Sequence, residues 1–497
     1  MPESTDHPET VLGLDLGTSA VKVAAVGADA KVIATGAAAF PTFSDAPDQA
    51  EQDPADWLRA VGRAVANLDE QLGPRRPDWR AWVKGIGVTA QLPTLVCTGA
   101  GGSLGPAITW KDARADGPTS ALLDSASRRA LYEQTGMPLD GRYLGPMFRH
   151  HWLGRRAEVE SVLSAKDYLV RELTGQRVTD PSTAAGYGAF DLQSGAFSEA
   201  LCALWGFPTD SLPLIRPAHS VAGPLSAAGA RLLGVPVGIP VCVGAADSVS
   251  SAYAMAGLEE GIACITMGSS TVIIDAVREA RLDPAARYLL TPHVESGWYG
   301  REMDLLATGT GYRWLSDLLG LPDGVLDQRA AEAPPGARGL IFTPYLAGGE
   351  QGALWDPTLR GSMSGLTLQH TSSDVARAFL EGVGFEIRRC LGVLSETTPV
   401  REVVIAGHLT GHASSLQMLA DILNQPIQPY PAGSPAALGA ALGALQQVTS
   451  QPQSLRVDPT WPRRVNPSQN AQVYHSLYAS YLARTQAQRS SDAAPLV

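Results

Sequence analysis

"TVLGLDLGTSAVKVAAVG", residues 10–27, alternates with strand periodicity around a Gly-Thr-Ser turn, and a second stretch repeats its order. That stretch is "GIACITMGSSTVIIDAV", residues 261–277. Each places an apolar strand, a glycine followed by small hydroxyl residues, and a further apolar strand in sequence. Self-similarity across half a chain marks a duplicated unit. It predicts two α/β domains of related architecture, joined near residues 255–261, each presenting a hydroxyl-rich turn.

Such a turn leaves successive N–H groups pointing the same way, with hydroxyl donors beside them, and forms a small anion nest. Asp15 lies between Leu14 and Leu16, and strand alternation puts Gly13, Asp15 and Gly17 on one face. An acid beside a phosphate nest repels the ligand unless a cation intervenes. Mg²⁺, held by one or two carboxylates plus phosphate oxygens, removes the conflict. Lys22 adds positive charge after the turn.

Working outward, "VIATGAAAF" (32–40) is a third strand after a turn at Gly27. "DPADWLRAVGRAVANLDEQL" (53–72) has helical spacing, with Asp53 as cap and Pro54 in the first turn. "LPTLVCTGAGGSLGPAITW" (92–110) is a hairpin turning at 99–102, and "GIPVCVGAADSVSSAYAMAGL" (238–258) runs from strand to helix at Asp247. An acid at that junction serves either as the helix N-cap or as a carboxylate on the floor of a cleft. The residues alone leave both readings open.

The 497 residues exceed one core, and 45% hydrophobic with 18% charged residues fits a globular enzyme. A net charge of −11 argues against nucleic acid or an anionic membrane as partner. Neither a signal peptide nor an apolar run of the roughly 20 residues that span a bilayer is expected. Five cysteines without CxxC spacing read as buried free thiols in a reducing, cytoplasmic setting. The paired arginines, Arg388-Arg389 among them, read as solvated faces, and "GSPAALGAALGALQQV" (433–448) as a small-residue helix for close packing.

Taken in order, these segments resemble the FGGY carbohydrate kinases. "GLDLGTSAVK" (13–22) is similar to the first phosphate motif, "AITWKDARA" (107–115) to the W-x-D-x-R element, and "VGAADSVSSAYAMAG" (243–257) to the catalytic aspartate segment. "ITMGSSTVI" (265–273) resembles the second phosphate turn, "ATGTGYRWLSDLLG" (307–320) a nucleotide-side turn and helix, and residues 344–388 the signature of the second domain. The resemblance implies two actin-like, ribonuclease H-like ATPase domains with a ligand cleft between them. It places a disordered tail at 1–10, a sugar-binding domain at 11–256, a nucleotide-binding domain at 257–485 and a flexible tail at 486–497.

The activity implied is transfer of the ATP γ-phosphoryl group, with Mg²⁺, to a sugar or polyol hydroxyl. On that resemblance Asp247 is the base, Asp15 holds the metal, and Gly17, Thr18, Ser19, Lys22, Gly268, Ser269 and Ser270 line the phosphates. Gly309, Arg313, Gly407 and His412 fall on the nucleotide, and Gln91, Leu92, Trp110 and Asp112 at the sugar.

Two segments depart from the family. Leu92-Pro93-Thr94 replaces the Met-His-Gly usual in xylulose kinases, and only Gly407 remains of a triple glycine, followed by His408 and Leu409. D-xylulose is the first expectation for the acceptor. Ribulose, a deoxy-ketose, gluconate or a polyol is the alternative, and a weakly catalytic nucleotide sensor is the rival of another class. Assembly is open, with a homodimer as one option.

Overall fold

The computed structural model describes residues 9–492 apart from 75, 323, 348–351, 357, 432 and 450–460. Parts of the 344–388 signature and of both expected tails therefore lie outside the described residues. Thr10, expected in the N-terminal tail, instead opens the first strand. The last helix runs through Ala471–Asp492, so residues 486–492 are helical rather than tail.

The N-terminal sheet is built on β1 (Thr10–Leu16), β2 (Ala20–Gly27), β3 (Val32–Ala39), β4 (Val83–Ala90) and β5 (Pro240–Cys242). Their order is β3-β2-β1-β4-β5, with Val221–Pro224 at the edge. β1 pairs antiparallel with β2 and parallel with β4. The C-terminal sheet repeats this plan with β6 (Ile262–Met267), β7 (Thr271–Val277), β8 (Tyr299–Leu305), β9 (Glu402–Gly407) and β10 (Ile427–Pro429). It runs β8-β7-β6-β9-β10, again with the first two strands antiparallel and the first and fourth parallel. The repeat seen in the sequence is thus a repeat of topology.

Helix α1 (Pro54–Ala66) is capped as expected: the Asp53 side chain accepts from the Ala55 N–H, and Pro54 occupies the first turn. Its Trp57, Val61 and Val65 enter the same core as β1 and β2. α2 (Asp247–Ala256) follows β5, α3 (Gly309–Leu318) follows β8, and α4 (Ser372–Ser395) and α5 (Pro435–Thr449) belong to the C-terminal half in sequence. α6 is Ala471–Asp492.

α5 does not pack with its own half alone. Val11, Ala24, Val26 and Cys242 of the N-terminal sheet form one core with Ala437, Ala441, Ala444 and Leu445. A side chain on Gly13 would put Cβ 1.8 Å from the Ala437 carbonyl oxygen, and one on Gly87 the same distance from that of Ala440. Two glycines on adjacent strands let the small-residue helix lie against the sheet. Across the cleft, the Leu290 N–H donates to the Gly136 carbonyl at 2.9 Å, and the Tyr132 hydroxyl donates to that of Tyr288 at 2.9 Å. The two halves therefore meet at α5 and again through Gly136–Leu290 and Tyr132–Tyr288.

Cys97, Cys242, Cys264 and Cys390 are buried and outside any disulfide among the described residues, and Cys202 is half-buried. Arg389 corrects the expectation of a solvated arginine pair: it is paired with Glu386 at 3.1 Å and donates to Thr485 of α6. No helix among the described residues is long and apolar enough to cross a membrane.

Candidate active site

β1 ends at Leu16 and β2 resumes at Ala20, with the Gly17 N–H closing the turn on the Ala20 carbonyl at 3.1 Å. The second turn closes from the Gly268 N–H to the Ser270 carbonyl at 2.8 Å. In both turns the intervening N–H groups, those of Thr18, Ser19, Ser269 and Ser270, have no backbone partner among the described residues. Thr18 is held from behind: Gln52 Nε2 donates to its carbonyl at 2.8 Å, and Trp110 Nε1 to its hydroxyl at 3.2 Å.

Asp15 lies inside the sheet, 4% exposed, opposite Lys22 in register. Being on a strand paired on both sides, it is no surface residue. Burial raises its pKa, while Lys22 and a 2.8 Å hydrogen bond from Ser434 Oγ oppose the rise. A buried acid beside these amide groups fits a divalent cation, which Asp15 would hold and which would supply positive charge beside a phosphate.

Asp247 is the first residue of α2, and Ala246 occupies the N-cap position. Its Oδ1 accepts from the next residue, the Ser248 N–H at 3.1 Å. The N-cap reading is thereby corrected in position: Asp247 stands one place inside the helix, and Ala246 takes the N-cap, although the carboxylate still accepts from the N–H of the second helical residue. The approach to Asp247 is fixed from below. The Ala246 N–H donates to Ser182 Oγ at 3.0 Å, and Lys166 Nζ to the Val243 carbonyl at 2.9 Å. Lys166 is buried between Asp167 (2.9 Å) and Asp180 (3.3 Å). Burial first, and the charge of Asp15 second, push the Asp247 pKa up to about 7.

Asp247 lines a cavity of about 140 Å³ shared by both halves. Thr18, Leu92, Trp110 and Arg142 come from the N-terminal half, and Ser270, Glu302 and Asp304 from the C-terminal half. Of the residues expected at the sugar, Leu92 and Trp110 line this cavity, and Gln91 and Asp112 are not among its lining residues. Gln91 Nε2 donates to Gln52 Oε1 at 2.8 Å, and so braces the residue that holds Thr18. Asp112 accepts from the Ala50 N–H at 2.9 Å and from Arg114 Nη2 at 2.6 Å, with His151 Nε2 3.8 Å away. Although burial opposes ionisation, His151 and Arg114 hold its carboxyl well below the usual range. Its oxygens serve the fold.

On the nucleotide side the glycines are explained by protein. A Cβ on Gly309 would sit 2.0 Å from the Gly268 carbonyl oxygen, so its bareness lets α3 abut the phosphate turn. The Thr310 N–H donates to Ser269 there, at 3.0 Å. Gly407 has φ 108° and faces the Met267 carbonyl oxygen at 2.0 Å from a Cβ position. The His408 ring packs edge-on to Tyr312 at 4.9 Å, and burial lowers its pKa. His412 Nε2 lies 3.8 Å from Asp327, whose carboxylate accepts from the Tyr312 hydroxyl at 2.7 Å. Arg313 is exposed on α3, close enough to Lys111 of the other half to depress the Lys111 pKa after burial has done so.

Sequence reasoning missed Ser434, Glu302, Asp304 and Arg142. Ser434 binds Asp15 across 419 positions, and nothing local announces that. Glu302 and Asp304 did leave a signal, since they alternate with Arg301, Met303 and Leu305 along β8. The alternation used for Asp15 applies to them equally.

With two sheets of one topology, a glycine–hydroxyl turn in each and an acid between them, the class follows from comparison. Residues 10–254 match the N-terminal domain of the FGGY family of carbohydrate kinases, and residues 263–448 match its C-terminal domain. The chain belongs to that family. A glycerol kinase from Alkalilimnicola ehrlichii is 30% identical over 461 residues, covering 88% of this chain and 90% of that one. A gluconokinase from Bacillus licheniformis is 26% identical, with 87% and 86% covered. The structure of a xylulose kinase from Rhodospirillum rubrum superposes with a TM-score of 0.82 at 30% identity, over 98% of this chain and 100% of the other. These relatives phosphorylate different acceptors by name, so membership leaves the acceptor open.

Proposed function

We propose that this kinase transfers the γ-phosphoryl group of ATP to a hydroxyl of a ketopentose, D-xylulose first among the candidates. The observation that carries the reading is Asp247 in a cavity bounded by Thr18 of one phosphate turn and Ser270 of the other. When bound, Mg·ATP supplies the phosphoryl group and the positive charge that neutralises it. Asp15 is the carboxylate placed to hold the metal, and the free N–H groups of Thr18, Ser19, Ser269 and Ser270 receive phosphate oxygens. Asp247, held near neutrality, accepts the proton of the attacking hydroxyl. Closure of the two halves over the acceptor would keep water, the competing acceptor, away from that proton transfer.

Support for a five-carbon ketose comes from the xylulose kinases among the relatives and neighbours, and Leu92 at the cavity marks where this chain departs from them. Coupled ADP release over ketoses, polyols and sugar acids tests the reading. D-xylulose or a near relative is expected to raise ADP release well above the basal rate. If no acceptor does so, phosphotransfer is not the activity.

A further inference from the structure

The wall of the cavity contributed by β8 is acidic. Glu302 and Asp304 point the same way from alternate positions and line the cavity that Asp247 enters from the other half. Ser248 Oγ donates to Glu302 Oε2 at 2.6 Å, and this ties the wall to the residue after Asp247. The Asp304 carboxylate lies about 7 in pKa, raised by burial, and Arg142 opposes the rise. Arg142 is the single basic side chain lining the cavity among the described residues. It is already engaged: Nε and Nη2 both donate to Asp140 Oδ2, at 3.0 and 2.5 Å, and the Arg142 N–H donates to Asp140 Oδ1 at 2.9 Å.

We infer that the acceptor is a neutral polyhydroxy compound and that Glu302 and Asp304 are the residues that turn sugar acids away. The inference rests on the phosphotransfer reading and narrows its substrate. A carboxyl group, ionised or not, accepts hydrogen bonds from hydroxyls, so two of them on one wall suit a chain of hydroxyl groups. Leu92 and Trp110 on the facing wall offer apolar surface to its C–H bonds. An aldonate brings a further carboxylate into this space and meets acids without a cation free to pair with it. An anion taken into a buried space with no cation to pair it carries a large desolvation cost, and a site built for hydroxyls leaves its own groups unpaired with anything else.

The test compares matched neutral and acidic acceptors by coupled ADP release: D-xylulose, D-ribulose, xylitol and glycerol against D-xylonate and D-gluconate, at saturating Mg·ATP. The expected result is kcat/KM for every aldonate at least about 100-fold below the best neutral acceptor. The doubly neutral variant Glu302→Gln/Asp304→Asn, its fold checked by thermal melting, is expected to narrow that ratio by about tenfold or more. Thermal-shift titration of wild-type protein with xylitol and with xylonate gives a second readout that needs neither turnover nor the variant, and only xylitol is expected to stabilise. An aldonate within tenfold of the best neutral acceptor overturns the inference while phosphotransfer stands. An unchanged ratio in a folded variant also overturns it, by removing the two acids as determinants. Failure of all six acceptors to stimulate ADP release sinks the phosphotransfer reading, and the inference with it.

Discussion

Asp247 stands under two opposed influences. A helix N-terminus favours an anion there, but burial and the neighbouring Asp15 outweigh it and bring the pKa to about 7. For a base the ionised form is the working one, so kcat/KM is expected to fall as pH drops through about 7, where an ordinary Asp would titrate near 3.8. A pH–rate profile flat down to pH 5 would remove Asp247 from that role. Asp247→Asn should lower kcat by roughly two to four orders of magnitude, the usual weight of general-base catalysis, with the circular dichroism spectrum unchanged. Stability moves the other way. A carboxyl whose folded pKa exceeds its unfolded one contributes most below 3.8 and loses that contribution as pH rises through about 7. Asp247→Asn is therefore expected to raise Tm at pH 8 relative to wild type by more than it does at pH 5. The acid itself was legible in the sequence as one charge in a small, apolar run. Its place one residue inside the helix was not, because neighbouring residues at a strand–helix junction compete for the N-cap position and the side-chain types alone do not decide between them.

At the scale of the element, the strands and α1 were readable because local signals agreed: alternation, Gly turns, an Asp-Pro start. The place of α5 was not. Its small residues announced close packing, but the partner, β1 and β4, lies more than 300 positions away and leaves glycines such as Gly13 and Gly87 as its trace. A methyl at either would fall 1.8 Å from a backbone carbonyl oxygen. Gly13→Ala and Gly87→Ala are each expected to cost about 3 kcal/mol, read as a lower urea midpoint. A midpoint unchanged by either would mean that α5 is free to move off the sheet. The same contact explains Ser434, which accepts from the Ala437 N–H at 3.2 Å as it donates to Asp15. One hydroxyl joins the start of a helix from the second half to an acid of the first.

Across the molecule, the cores do not divide near residues 255–261, where the repeat places the junction. Ala246, Val249 and Tyr253 of one half share a cluster with Cys264, Ile274, Val404 and Leu442 of the other. Residues 1–258 made alone are accordingly expected to aggregate, and co-expression with residues 259–497 to recover a soluble pair in size-exclusion chromatography. A monodisperse 1–258 fragment would show that the first sheet closes without α5. The two phosphate turns were visible in the sequence because each is local. The acidic wall of β8 escaped notice because an alternating strand with acids on one face reads equally well as a strand facing solvent.

The seat of α5 also orders events during synthesis. The face of the first sheet that carries Gly13 and Gly87 leaves the ribosome early, and its cover, Ala437 to Leu445, comes near the end. At roughly 5–20 residues per second, the nascent sheet waits on the order of half a minute with apolar strands uncovered. A chain of this design folds its beginning last, and for that interval it offers chaperones a bare β-surface that the finished enzyme never shows.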